Sequence, residues 1–135
     1  MIHHTALIGG PPEHRERPPD FNGYYPIIHP SARVNAFVTV DSGMFRATRV
    51  GARSFLMAKC HIGHDAEVGA DCEIAPMSSV GGEVTIGDRV KVGQGAVFKP
   101  RVIVGSDAVI GAGAVVVKNV PAGEVWVGNP ARKLR

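Results

Sequence analysis

From Val38 to Val116 every sixth position of the chain is apolar: Val38, Met44, Val50, Leu56, Ile62, Val68, Ile74, Val80, Ile86, Val92, Phe98, Val104, Ile110 and Val116. Four residues after each stands a small one: Ser42, Thr48, Ser54, Cys60, Ala66, Cys72, Ser78, Val84, Val90, Ala96, Val102, Ala108, Ala114 and Val120. An even spacing puts both sets on one face of an extended chain. The larger set is expected to fill an interior, and the smaller one to sit where the wall bends and the backbone comes close. Gly follows the apolar residue in eight of the fourteen repeats, as at Gly51, Gly63, Gly105 and Gly111, which suits a corner that demands positive φ. A fixed six-residue period predicts a solenoid whose three flat faces and three corners close a coil of 18 residues, with coils stacked at about 4.8 Å. The expected fold is all-β, a parallel β-helix shaped as a triangular prism.

The ends depart from this register. Ile2-His3-His4-Thr5-Ala6-Leu7-Ile8-Gly9 mirrors Ile28-His29-Pro30-Ser31-Ala32-Arg33-Val34-Asn35 at an offset of 26. A coil takes 18 residues, so eight extra residues are expected to bulge out between the copies. Residues 2–9 then form a first rung, and 10–27 an inserted loop carrying Pro11, Pro12, Pro18, Pro19 and Pro26, where prolines forbid a regular strand. Residues 28–120 make the regular coils. Val34 and Val38 are four apart rather than six, which reads as a corner shortened by two residues. Residues 121–135 form a carboxyl-terminal cap, with the single Trp126 packed across the last open edge.

Length and composition narrow the function. A chain of 135 residues holds one domain, stabilised coil by coil. A net charge of +3 is too small, and too scattered, for a nucleic-acid partner. No apolar run approaches the roughly 20 residues of a membrane span, and no signal peptide opens the chain, so a soluble, cytoplasmic protein is expected. Cys60 and Cys72 both occupy inward small positions and are expected to be buried, reduced and structural.

The chemistry concentrates in His61-Ile62-Gly63-His64-Asp65. Ile62 points inward, so His61 faces outward, and His64 falls at a corner with Asp65 beside it. An exposed His paired with a carboxylate has the composition of a general base, the acid fixing the tautomer and stabilising the imidazolium. Taken alone, the same dipeptide on a surface corner is more often a merely solvated pair. Gly82 and Pro100 follow His64 at successive intervals of 18, and Lys118 at a third, so all four are expected on one edge of the prism.

His64-Asp65, then Val68-Gly69, then Val80-Gly81-Gly82, with Gly128-Asn129-Pro130-Ala131-Arg132 near the end, resemble the hexapeptide acyltransferases. In particular they resemble the bacterial acetyltransferases of sialic acid and of amino sugars on nucleotide carriers. The resemblance covers roughly residues 28–133, and it alone implies a left-handed coil, since the usual right-handed crossover rule points the other way. It also implies transfer of an acetyl or short acyl group from acetyl-CoA to an amine or hydroxyl of a small, sugar-based or nucleotide-sugar acceptor. His64 would be the base, Asp65 its orienting partner, and the Gly82 N–H the donor to the thioester carbonyl, a placement the 18-residue spacing supports. The coenzyme would lie along Gly82, Pro100 and Lys118, with Arg132 and Lys133 near its phosphates. A homotrimer is implied, with catalytic clefts between subunits, and no metal.

Those acetyltransferases carry an amino-terminal nucleotide-sugar domain of the βαβ type, which is not expected within these residues because the first segment already reads as β-helix. The acceptor pocket is therefore expected from the loop 10–27, where His14, Arg15 and Tyr24 are the candidate contacts; a solvated Pro-rich loop is the plainer alternative. A non-catalytic trimeric scaffold remains a second reading. A third is a metal enzyme like the γ-class carbonic anhydrases, which share the scaffold. Zinc there needs three converging imidazoles, whereas His61 and His64 are only three apart and His29 lies 35 before His64, beyond the phase slip.

Overall fold

The aliphatic residues at the six-residue interval form short strands of mostly two residues, each with one residue turned inward. A computed structural model describes residues 1–135 as three parallel sheets visited in turn by the chain. The first sheet stacks β1 (Leu7–Gly10), β4 (Thr39–Asp41), β7 (His61–Ile62), β10 (Ser79–Val80), β13 (Val97–Phe98) and β16 (Val115–Val116). The second stacks β2 (Ile27–Ile28), β5 (Arg49–Val50), β8 (Glu67–Val68), β11 (Thr85–Ile86) and β14 (Ile103–Val104). The third stacks β3 (Arg33–Val34), β6 (Phe55–Leu56), β9 (Glu73–Ile74), β12 (Lys91–Val92), β15 (Val109–Ile110) and β17 (Val125–Val127), closed by antiparallel β18 (Arg132–Lys133). The molecule is a parallel β-helix with one apolar column inside. No helix is long and apolar enough to cross a membrane.

Two features of the column refine the sequence reading. The small inward layer is not simply apolar: Ser54 and Ser78 donate their hydroxyls to the carbonyls of Gly69 (2.6 Å) and Gly93 (3.0 Å), and Cys72 Sγ lies 3.0 Å from Gly87 O. Each links one coil to the next and satisfies a polar group that would otherwise be costly to bury. The glycines after the inward residues also have a different purpose from the one expected. Positive φ, between 56° and 68°, falls instead three residues after the inward position, on non-glycines such as Arg53, Asp71, Glu83 and Arg89. The N–H groups of Asp71, Glu83 and Arg89 are held by carbonyls of the preceding coil, Asp71 by Ala52 O and Glu83 by His64 O, both at 2.8 Å, and that of Arg53 by Ser31 Oγ at 2.9 Å. Gly51 and Gly87 are required by close approach: a Cβ on Gly51 would stand 2.5 Å from Gly69 O, and one on Gly87 2.6 Å from Ser106 N.

The phase of the coil that begins at Ile28 differs from the one the sequence suggested, and the correction locates the site. Ile28, Val34 and Val40 are the inward residues of one coil, and Val40 faces Ile62, a separation of 22 rather than 18. Val38 is buried, but in the small layer, and Met44 is half-exposed. The interval from Val34 to Val38 is thus no shortened corner. Four residues are inserted between β4 and β5, and Val38 and Met44 preserved the six-residue spacing by coincidence. Ser42 is buried beside this insertion, where its N–H donates to Gly10 O (2.8 Å).

The amino-terminal copy is also displaced. Ile2 pairs with Val34 and Ile8 with Val40, 32 positions on, so the copy that begins at Ile2 lies one face further round than the copy that begins at Ile28. A six-residue repeat resembles itself on every face, so similarity alone could not say which face it occupied. The excess is fourteen residues rather than eight. Both copies make the same corner: His3 Nδ1 meets Thr5 Oγ1 and His29 Nδ1 meets Ser31 Oγ, each at 2.8 Å. At the other end Val120 bridges Val104, 16 positions earlier, which makes Val120 an inward face residue rather than one of the small layer. Trp126 follows Ile110 in the third sheet and packs on the end of the core.

All three departures from 18 fall on one edge, the corner joining the first sheet to the second. The loop from Pro11 to Pro26 leaves β1 and returns to β2 there. The insertion lies one coil below it, and the shortened last turn lies at the far end. His64 stands on the same edge.

Candidate active site

His64 follows β7 by two residues and opens this corner, its side chain 13% exposed. Its Nδ1 lies 2.7 Å from Asp65 Oδ2. Asp65 has a positive φ of 62°, held by its own N–H donating to Thr48 Oγ1 at 3.0 Å. The four-residue insertion then wraps the carboxylate. Met44 N–H donates to Oδ2 (2.9 Å), while Phe45 and Arg46 N–H donate to Oδ1 (2.8 and 2.7 Å). Burial alone would raise the Asp65 pKa, but the hydrogen bonds from His64, Met44, Phe45 and Arg46 together hold it below the usual carboxylate value. A fixed carboxylate accepting at Nδ1 leaves the imidazole with its acceptor lone pair at Nε2.

Nε2 has no partner in the chain and faces Gly82, one coil along. A Cβ built on Gly82 would overlap it. The Gly82 N–H donates to nothing in the chain. Its counterparts on the adjacent corner are capped, Ala70 N–H by Asp88 Oδ1 (2.9 Å) and Asp88 N–H by Ser106 Oγ (3.0 Å). The corner therefore presents a free imidazole acceptor beside a free amide donor. Gly82→Ala should push the His64 ring from its place and lower any His64-dependent turnover about 100-fold, with the fold retained by circular dichroism; unchanged turnover would show that Nε2 is not used there.

The remaining candidates are distributed unevenly. Pro100 takes the next position on the edge, and exposed Lys118 lies in the shortened turn beyond it. Arg132 and Lys133 sit on β18 at the end of the third sheet, off this edge, and Lys133 pairs with Glu124 at 3.3 Å. His14 is brought to the site: its ring meets those of His64 and Phe45 edge-on, with centroids 5.4 and 5.5 Å apart. Tyr24 contributes its backbone, exchanging two 2.8 Å hydrogen bonds with Gly43 that tie the Pro-rich loop to the insertion, while its ring is about half exposed. The Arg15 side chain is exposed and makes no hydrogen bond or ion pair. Cys60 and Cys72 are buried free thiols; burial pushes Cys60 up to about 12 and raises Cys72 as well, so neither offers a thiolate. No three His, Cys, Asp or Glu side chains converge as a metal site.

Sequence reasoning missed Thr39, Asp41, Thr48 and the insertion. Asp41 ends β4 and, with Thr39, flanks His61: Thr39 Oγ1 lies 2.7 Å from His61 Nδ1, and Asp41 Oδ2 lies 3.6 Å from His61 Nε2. Together with Glu13, His14 and Arg17 from the loop they line a cavity of about 390 Å³. The signal for this second group was the run Asp41–Ala47, where the strand pattern fails although the spacing survives.

The family described as bacterial transferase hexapeptide (six repeats) matches residues 47–82 and 83–118. UDP-3-O-acylglucosamine N-acyltransferase of Maricaulis maris is 52% identical over 109 residues, which cover 81% of this chain and 32% of that protein. The enzyme of the same name from a Caulobacter species is 35% identical over the same shares. The chain thus spans about a third of the length of the curated relatives it matches. Among solved structures, the O-acyltransferase of UDP-N-acetylglucosamine from Moraxella catarrhalis superposes with a TM-score of 0.92 at 28% identity, over 98% of this chain and 52% of that one. A variant of perosamine N-acetyltransferase from Caulobacter crescentus, in complex with CoA and GDP-perosamine, gives 0.77 at 26% identity, over 99% and 55%. The repeat, the corner geometry and the profile match converge: the chain belongs to the bacterial hexapeptide-repeat transferases.

Proposed function

We propose that this chain transfers an acyl group, acetyl or a short homologue, from coenzyme A to a sugar-based, nucleotide-linked acceptor. The observation that carries the reading is the pairing on one edge of His64, whose Nε2 is free and whose Nδ1 is locked by Asp65, with the unengaged N–H of Gly82. Support comes from the relatives, which are acyltransferases of UDP- or GDP-linked sugars by name, one of them solved with CoA and its nucleotide sugar.

The thioester would lie along the edge with its carbonyl oxygen toward Gly82 N–H, which stabilises the negative charge that develops there. His64 Nε2 takes the proton of the attacking group as the new bond to the carbonyl carbon forms. The tetrahedral intermediate then expels the thiolate, which recovers that proton from the imidazolium. Attack is direct, since both thiols are buried and no other nucleophile adjoins His64. Pro100 and Lys118 would extend the donor site, Lys118 toward the phosphates. Arg132 and Lys133 could reach the same phosphates only from the end of the third sheet.

A single prism leaves this edge open to water, so a trimer that covers it is part of the proposal. Thiol release from acetyl-CoA, assayed with UDP- and GDP-linked amino sugars on a sample whose mass is read by light scattering, tests both. Acceptor-dependent release from a species of three chains is expected. A monomer would remove the closed cleft, and absence of release with every acceptor would leave a non-catalytic scaffold.

A further inference from the structure

The cavity between the Pro-rich loop and the first sheet contains a group that the His64 mechanism does not use. Asp41 is 7% exposed, its Oδ2 is buried without a hydrogen-bond partner, and Oδ1 accepts nothing from the chain. His61 Nε2 stands 3.6 Å from Oδ2, too distant for a hydrogen bond. Buried carboxylates are normally paired, because an unpaired one forfeits its hydration. Asp41 is instead left at the wall of a cavity of about 390 Å³, a size suited to a small-molecule ligand.

The charges around the cavity indicate what would pair with it. Glu13 adds a second carboxylate. The one permanent cation, Arg17, is turned aside, its Nη1 donating to the carbonyls of Phe21 (2.8 Å), Pro18 and Pro19 (both 3.4 Å). The other titratable groups nearby are the imidazoles of His14, His61 and His64. A neutral hydroxyl would satisfy one lone pair of Asp41 but not its charge. An ammonium satisfies both.

We propose that Asp41, with His61, receives the acceptor's amine in its protonated form and removes the first of its protons. The inference rests on the acyl-transfer reading for its chemistry. An ammonium must lose two protons to become an amide, whereas a hydroxyl loses one to become an ester. Asp41 accepts the first, giving the free amine, with His61 across from Oδ2 as its relay toward solvent. The amine nitrogen then bonds to the thioester carbon, and His64 takes the second proton and returns it to the departing sulfur. Each turnover converts ammonium and thioester to amide, thiol and one released proton. Burial, the foremost cause, and Glu13 raise the Asp41 pKa against the opposing effect of His61 and His64, bringing the carboxylate closer to a useful base.

The test is Asp41→Asn, assayed with UDP-3-O-acylglucosamine and GDP-perosamine, each beside the counterpart bearing hydroxyl in place of the amine. The wild type should acylate an amine and not its hydroxyl twin. Asp41→Asn should raise KM for the amine roughly ten- to a hundred-fold. It should also move the acid limb of kcat/KM to higher pH, with activity recovering near pH 9 as free amine becomes abundant. His64→Ala should show no such recovery. A melting temperature equal to or above the wild type's confirms the fold, since an unpaired buried charge has been removed. An unchanged KM and pH profile, or equal use of the hydroxyl twin, overturns the proposal. Calorimetric binding without donor separates it from the transferase reading. If no thiol is released by any sample yet amines bind in an Asp41-dependent way, only transfer fails; if neither amine binds, the amine site fails.

Discussion

Replacing His64 by alanine should lower acceptor-dependent thiol release by roughly 10²–10⁴, the usual worth of a positioned base, with little change in melting temperature. The side chain lies at a corner outside the apolar column, so its loss leaves no core cavity. Full activity in this variant would refute the mechanism while leaving the fold intact. Asp65→Asn should cost less in rate and more in stability, because Met44, Phe45 and Arg46 all donate to the carboxylate and an amide nitrogen cannot accept from them. The sign of the pH effect follows from the depressed Asp65 pKa. Its stabilisation is present above the unfolded-state carboxylate value and is lost as pH falls through the folded one, so Asp65→Asn should weaken acid sensitivity.

Ile74→Asp should unfold the chain. Ile74 is fully buried in the third sheet between Leu56 and Val92, with apolar neighbours above and below. An ionised carboxylate there has no partner. Its desolvation, added to the lost burial of an Ile side chain, exceeds about 5 kcal/mol, comparable with the whole stability of a typical domain. Coils that touch only their neighbours make a break in mid-stack cut the molecule in two. Far-ultraviolet dichroism should show the loss directly. Ile74→Val should cost only about 0.5–1.5 kcal/mol, and Glu73→Ala, on the exposed side of the same strand, within about 0.5 kcal/mol. A folded Ile74→Asp variant would mean that the column is less tightly packed than its burial implies.

The fold was legible because each coil repeats the same physical demand. From Val50 to Val116 every sixth residue does point inward, and a two-residue strand needs nothing from distant sequence to choose its face. The same redundancy hid the phase. Val38 and Met44 continued the spacing across an insertion, and Ile2 matched Ile28 although it stacks on Val34. For the site, His64, Asp65 and Gly82 could be placed on one edge because they fall within the regular region, where counting by 18 is valid. Asp41, Thr39 and the three N–H donors could not, since they reach the edge through segments whose length breaks the count. The role of Thr48 was masked for another reason: its side chain occupies a legitimate small position and also accepts from Asp65.

The confinement of every length change to one corner bears on how such a chain can diversify. The adjacent corner between the second and third sheets is crossed by Arg53–Asp71 and Arg89–Asp107 pairs at 2.7–3.1 Å and by side-chain caps on Ala70 and Asp88. An added residue there would break a contact in both neighbouring coils. On the His64 edge the Pro-rich loop and the insertion are tied together by the Tyr24–Gly43 bridge and to the corner through Asp65, but neither enters the stacked sheets, so residues beyond those contacts can be exchanged while the apolar column stays untouched. Variation in the two loops away from those contacts can thus reshape the cavity lined by Asp41 and His61 while the stack of coils is kept.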